Sequence, residues 1–158
     1  MTEAAAPARV QPEQTATVQA VAPFIAELGI QVLELDKEHA LLRIPDREQV
    51  HNHMGGPHAG AIFSLGETAA ASLMVQNFSH WFDRVVPLAV SAEIHWTKLA
   101  RSAVTAEARM LRPAHEIEAE LSAGTRPEWS NQVTFRREQD GAICAEMTVV
   151  LTLGVRRD

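Results

Sequence analysis

The spacing of apolar positions changes several times along this chain, and each change marks an element. From Thr15, the residues Val18, Val21, Ala22 and Ile25 recur at helical intervals, which predicts a short amphipathic helix ending near Gly29. Pro23 either kinks that helix or marks its start. Ile30 to Leu35 alternates apolar with polar, and His39 to Ile44 does so again after the turn Asp36-Lys37-Glu38. The pair reads as a hairpin closed by Pro45. After a polar loop at 46–58, the stretch Ala59 to Met74 is apolar on almost every side and built mostly of small residues. A helix of that composition is buried, and its small side chains let neighbouring backbone come close.

The second half follows the period of strands. Val85 to Trp96 is rich in β-branched residues, and Val104 to Met110 alternates cleanly. Residues 114 to 124, with Ile117 and Leu121 four apart, predict a short helix. Gln132 to Arg137 is a further strand, Asp140-Gly141 a hairpin turn, and Ala142 to Val155 a long final strand. Residues 1–14 are rich in Ala, Pro and Gln without a period, and are expected to be a flexible lead-in to one domain at 15–158. Strands on both sides of one long apolar helix predict the α+β class, with an antiparallel sheet around that helix.

Composition narrows what such a domain is for. At 158 residues, with 46% hydrophobic and 22% charged residues, the chain can bury a core without disulfides. Its net charge of −6 argues against nucleic acid as the main partner, because phosphate neutralisation needs a basic face. The single cysteine, Cys144, fits a reducing cytoplasm. The start of the chain lacks the pattern of a signal peptide, and no apolar run reaches membrane-spanning length. A cytoplasmic protein that engages neither membrane nor nucleic acid is expected.

Glu67 is the charged residue inside the apolar helix, and a carboxylate there is costly unless it is used or paired. Burial would raise its pKa toward neutrality, which suits a general base or a nucleophile. The alternative is that Glu67 points outward or bonds to nearby backbone. The helix start, Gly55-Gly56-Pro57-His58-Ala59-Gly60, is the second candidate, since the first amides of a helix lack internal acceptors and favour negative charge. The Gly-rich start has neither the Walker nor the dinucleotide spacing. Ala59 and Glu67 lie eight residues apart, or about 12 Å at 1.5 Å per residue. One carbonyl cannot touch both within a single chain. A site using both therefore requires two antiparallel helices side by side, that is, a homodimer, or a dimer of dimers.

At these residues the sequence resembles the hotdog-fold acyl-CoA thioesterases, in particular the PaaI-like type of the phenylacetate pathway and its YiiD C-terminal-like relatives. Members carry an Asn, a His-x-Gly helix start six residues later, and an Asp or Glu nine residues beyond the His. Asn52, His58-Ala59-Gly60 and Glu67 stand at those spacings. The resemblance covers about residues 15 to 155. It implies a hotdog fold, no cofactor and an acyl-CoA substrate, with Glu67 activating water or attacking the thioester. The Ala59 amide would hold the oxyanion, Asn52 and His58 would orient substrate or leaving group, and Gly60 would lie in the substrate site. Relatives often have His-Gly-Gly where Ala59 stands here, a change that keeps the backbone N–H. They also often place Ser or Thr early in the next strand to hold the water. Ala89 aligns there, with Ser91 two residues on and expected on the same face.

Other readings use the same region. Three histidines, His51, His53 and His58, with Glu67 as a fourth ligand, suggest a metal, yet they form no helix-based or Cys-supported motif; no metal is expected. His53 and Glu67 are spaced as in hotdog acyl dehydratases, but the Pro-rich stretch between them is missing. A non-catalytic acyl-CoA-binding protein on the same scaffold is the remaining class. His95 reads as a core or interface histidine and Cys144 as a small buried hydrophobe. Ser64 and Ser72 lack a nucleophile-elbow context. Trp81, Trp96 and Trp129 are pocket or core residues, and Phe24, Met54, Phe63 and Trp81 are expected to set the pocket's length. Arg101, Arg109, Arg112, Arg136 and Arg137 are the candidates for meeting CoA phosphates, and solvated faces explain most of them equally well.

Overall fold

The computed structural model describes residues 8–156. Two short helices come first, α1 (Pro12–Val21) and α2 (Pro23–Leu28), followed by the strands β1 (Gln31–Leu35) and β2 (His39–Ile44). The long helix α3 (Ala59–Phe78) precedes β3 (Val85–Trp96) and β4 (Val104–Met110). Helix α4 (Ala114–Ser122) then leads to β5 (Glu128–Arg137) and β6 (Ile143–Val155). The six strands form one antiparallel sheet in the order β1-β2-β4-β5-β6-β3. It wraps α3, the architecture of the hotdog fold, as the sequence predicts.

Pro23 divides the N-terminal segment rather than kinking it. Proline is favoured in the first turn of a helix and not in its interior. Accordingly Ala22 is extended, at φ −150° and ψ 134°, and a new helix starts beyond it. Gly29 ends α2 in the left-handed region, at φ 67°, where glycine carries no steric penalty. Helix α1 begins at Pro12, so residues 12–14 belong to the fold and not to a flexible lead-in; residues 1–7 of that expected lead-in lie outside the described residues. Strand β5 starts at Glu128, earlier than the alternation from Gln132 predicts. Pro127 accepts a bond from the Thr152 hydroxyl, and the next residue is already paired with β6.

The core lies between α3 and the inner face of the sheet. Leu65, Ala69, Leu73 and Phe78 of α3 have no exposed surface, and neither do Val133 and Phe135 of β5 or Val149 and Leu153 of β6. Gly66 marks the tightest approach: a Cβ there would stand 2.4 Å from the Phe135 ring and 2.7 Å from the Met147 sulfur. Buried Asn131 donates to the Ala70 carbonyl at 3.0 Å, fixing the helix against β5. Trp129 packs edge-on against Phe78 with ring centroids 5.3 Å apart, so it is a core residue.

The two edges of the sheet are treated differently. An open edge presents unpaired N–H and C=O groups. At β1, helix α1 covers them: Gln11 donates to the Val32 carbonyl, Val32 donates to the Thr15 hydroxyl, and the Gln14 and Gln19 amides bond to Leu35 and Ile30. At β3 no element of the described chain covers the outer edge, and Leu88 and Val90 are 46% and 47% exposed.

Candidate active site

The loop before α3 is held by short backbone contacts. Asn52 donates its backbone N–H to Gly56 at 2.7 Å, and its side-chain oxygen accepts from the Met54 amide at 2.8 Å. Gly56 is buried because the 97–101 segment crosses directly over it; a Cβ there would sit 1.9 Å from the Ala100 carbonyl oxygen. This packing brings Asn52, Pro57 and Ala59 to one side of a cavity of about 350 Å³, with Trp96, Lys98 and Leu99 on the other. Asn52, named through the family resemblance, and Ala59, named as part of the helix start, thus line one cavity.

His58 is the N-cap of α3, at φ −60° and ψ 145°. Its Nδ1 accepts from the Gly60 amide at 2.9 Å, while Ala61 and Ile62 donate to the His58 carbonyl. Of the first four amides of the helix, three are thus paired. The fourth, on Ala59, meets no acceptor among the described residues, and Ala59 lines the cavity. A free amide at the positive end of a 20-residue helix is suited to holding an oxyanion. Gly60 has its N–H engaged by His58 and is not an available donor.

Glu67 lies elsewhere. It is half-buried, with no hydrogen bond or ion pair among the described residues, and burial pushes its carboxyl above the ordinary carboxylate range. It lines a second cavity of about 520 Å³ between α3 and the N-terminal helices, together with Val18, Phe24, Leu35, Ala71 and Val75. The two cavities share no lining residue, so the structure separates Ala59 from Glu67 as their spacing along the helix requires.

Strand β3 corrects one expectation. Val90 forms a bulge, so Ala89 pairs with Leu151 whereas Ser91 pairs with Val150. Paired residues share a face and consecutive residues of β6 point to opposite faces, so Ser91 does not share the face of Ala89. A bulge of this kind leaves no signature in the apolar pattern.

Among the other histidines, His51 is bonded to Asp46 at 2.5 Å and exposed His95 to Glu93 at 2.9 Å, so His95 is not a core residue. His53 is exposed and lines neither of the two cavities. No group of three or more metal-ligating side chains occurs among the described residues. Arg109, Arg112 and Arg137 are tied to Glu107, to Glu116 and Glu120, and to Asp140, while Arg136 donates to the Gly141 carbonyl. Lys98 also lines the Ala59 cavity; no sequence motif marks it, because it arrives there only through the 97–101 crossing. Of the four residues expected to set pocket length, Phe24 alone lines the cavity beside Glu67.

Comparison with known proteins agrees with this architecture. A family model described as a domain of unknown function, DUF4442, matches residues 12–153. The chain belongs to that family. No curated protein matches the DUF4442 chain. Among solved structures it is similar to a Pseudomonas aeruginosa protein of unknown function described as a probable thioesterase, at 23% identity and a TM-score of 0.79, over 93% of this chain and 97% of that one. A mutant thioesterase from the same organism is 18% identical with a TM-score of 0.74, over 92% and 95% of the two chains. The phenylacetic acid degradation protein PaaI from Thermus thermophilus, in a mutant form, is 20% identical with a TM-score of 0.65, over 83% and 98%. At these identities the likeness shows the hotdog fold that the DUF4442 chain adopts. No helix among its described residues is long and apolar enough to cross a membrane.

Proposed function

We propose that the chain hydrolyses acyl-CoA thioesters at a site shared between two copies. The observation that carries this reading is the half-buried, unpartnered Glu67 carboxylate lining an apolar cavity. Glu67 takes a proton from water, and the water oxygen attacks the thioester carbonyl. The resulting oxyanion is held by the Ala59 amide of the second copy; the C–S bond then breaks, and the CoA sulfur leaves and is protonated. Direct attack by Glu67 would give a mixed anhydride that water then cleaves, with the same products. Asn52 and His58 shape the loop that presents the amide, and Lys98 offers a cation to the phosphates of CoA. The uncovered β3 edge, with exposed Leu88 and Val90, supports the pairing of two copies.

A non-catalytic acyl-CoA-binding protein is the second reading. It is favoured by Ala89, which leaves no hydroxyl to hold the water, and by the bulge that turns Ser91 to the other face.

Two variants separate the readings. Glu67→Gln is expected to lower thiol release from a panel of acyl-CoAs by about a thousandfold while the dimer persists. Ala59→Pro removes the free N–H at a helix position where proline is tolerated, and is expected to cost about a hundredfold. Each variant retains the half that the other lacks. An equimolar refolded mixture should therefore recover about a quarter of wild-type activity, since half of the random dimers carry one intact site of two. No recovery, or a fully active monomer, would remove the shared site. A wild-type protein that releases no thiol from the panel would favour the binding reading.

A further inference from the structure

Resting on the thioesterase reading of Glu67, we infer that the α1–α2 segment is the wall of the acyl pocket, and that the substrate is a straight hydrocarbon acyl chain of medium length. The cavity beside Glu67, at about 520 Å³, falls in the range of small-molecule pockets, about 300–1,000 Å³. Helix α3 supplies one side as a stripe, Glu67, Thr68, Ala71, Ser72, Val75 and Gln76, and the N-terminal helices supply the other through residues such as Val18 and Phe24. Glu67 is the charged group of the lining and stands at one end of the stripe.

The chemistry of the wall selects hydrocarbon. Thr68 and Ser72 donate their hydroxyls to the carbonyls four residues back in α3, at 2.7 and 2.8 Å. Thr17 does the same to Glu13 in α1, and the Gln14 amide is engaged by Leu35. The hydroxyls of Thr17, Thr68 and Ser72 therefore spend their protons on backbone, which leaves Gln14 and Gln76 as the lining's amides, and a hydroxylated or carboxylated acyl group would lose its water along most of this wall with little in return. Val21 and Phe24 line the same space yet remain 77% and 59% exposed, which is apolar surface for a ligand to cover.

Length follows from the stripe. Glu67 and Gln76 are nine residues apart, or about 13.5 Å along the helix axis at 1.5 Å per residue. An extended chain advances about 1.2 Å per bond, as the 3.6 Å of an extended residue with its three backbone bonds shows. A thioester with its carbonyl at Glu67 thus fills the stripe with about eleven to twelve carbons.

The test uses the full chain and straight-chain acyl-CoAs from two to sixteen carbons, with phenylacetyl-CoA beside them. Hydrolysis is read by thiol release, and binding to the Glu67→Gln variant by calorimetry. Decanoyl- and dodecanoyl-CoA are expected to exceed acetyl- and phenylacetyl-CoA by tenfold or more in kcat/KM, with the same order in affinity. Val75→Trp and Val18→Trp, one on each wall, are expected to move the optimum toward shorter chains. Unchanged helical content and Tm identify folded variants, and Ala71→Leu provides a milder filling should either tryptophan fail to fold. Turnover with a length preference that none of these folded variants moves would overturn the inference and leave the thioesterase reading standing. Length-dependent binding that the variants move, without turnover, would keep the pocket and overturn the thioesterase reading. Neither binding nor turnover would overturn both.

Discussion

The two cavities along α3 are built in different ways. At the start of the helix the walls are backbone against backbone: Gly56 lies under Ala100, Asn52 bonds its own loop, and His58 caps the helix. Beside Glu67 one wall is α1, which has no fully buried residue and is fastened to β1 largely by polar bonds. The first cavity is therefore stiff, and the second has a wall that can move at modest cost. Under the proposed reaction, a group that meets a developing charge with little reorganisation belongs on the stiff side, where the Ala59 amide lies, and a wall that closes over an entering acyl chain belongs on the soft one, beside Glu67.

The sharpest way to break this contrast is Gly56→Ala. Its Cβ would meet a backbone carbonyl at 1.9 Å, so relief requires the 97–101 segment to move. A loss of about 2–3 kcal/mol in unfolding free energy is expected by urea titration. A loss below half a kcal/mol would show that the helix start is not stiff. His58→Ala is smaller: removal of the cap on Gly60 is expected to cost about 1 kcal/mol, and His58→Asn, which restores a capping oxygen, to recover most of it.

The pH dependence probes the other cavity. Because burial raises Glu67 above its ordinary 4.5, the protonated form is the one that folding favours. Its stabilising contribution is complete below the unfolded-state value and is lost as pH rises through the higher folded-state value. Glu67→Gln should therefore match the wild-type Tm in acid and exceed it at pH 7–8. If Glu67 is the base of the proposed reaction, the acid limb of wild-type kcat/KM has its midpoint above 4.5, since the ionised form accepts the proton. Equal Tm values across the range would mean that Glu67 is solvated.

Much of the fold was legible because it is written in periods. β3 and β4 fall where alternation and β-branching predict them, and the all-round apolar character of Ala59 to Met74 identifies the wrapped helix. Of the candidate site, Glu67 stands out in the sequence as the charge inside an apolar helix and Ala59 as part of its Gly-rich start, while Asn52 is marked only by the family resemblance. What escaped depends on segments distant in sequence. Lys98 reaches the helix start only because 97–101 crosses Gly56, and the apolar cavity exists only because α1 docks across from Ala71 and Val75. The bulge at Val90 escaped for another reason. Val, Ala and Ser satisfy a regular strand and a bulged one alike, so the strand composition carries no signal of the lost alternation.

Gly66 has a consequence beyond packing. Side chains advance about 100° around an α-helix per residue, so whatever fixes the azimuth of Gly66 also fixes that of Glu67. Gly66 faces Phe135 and Met147, where an added Cβ would require the ring, the thioether or the helix itself to shift. This contact acts as an angular stop: with the smallest residue against the sheet, the next one is aimed away from it. The aim of the carboxylate is thus set by a neighbour that has no side chain.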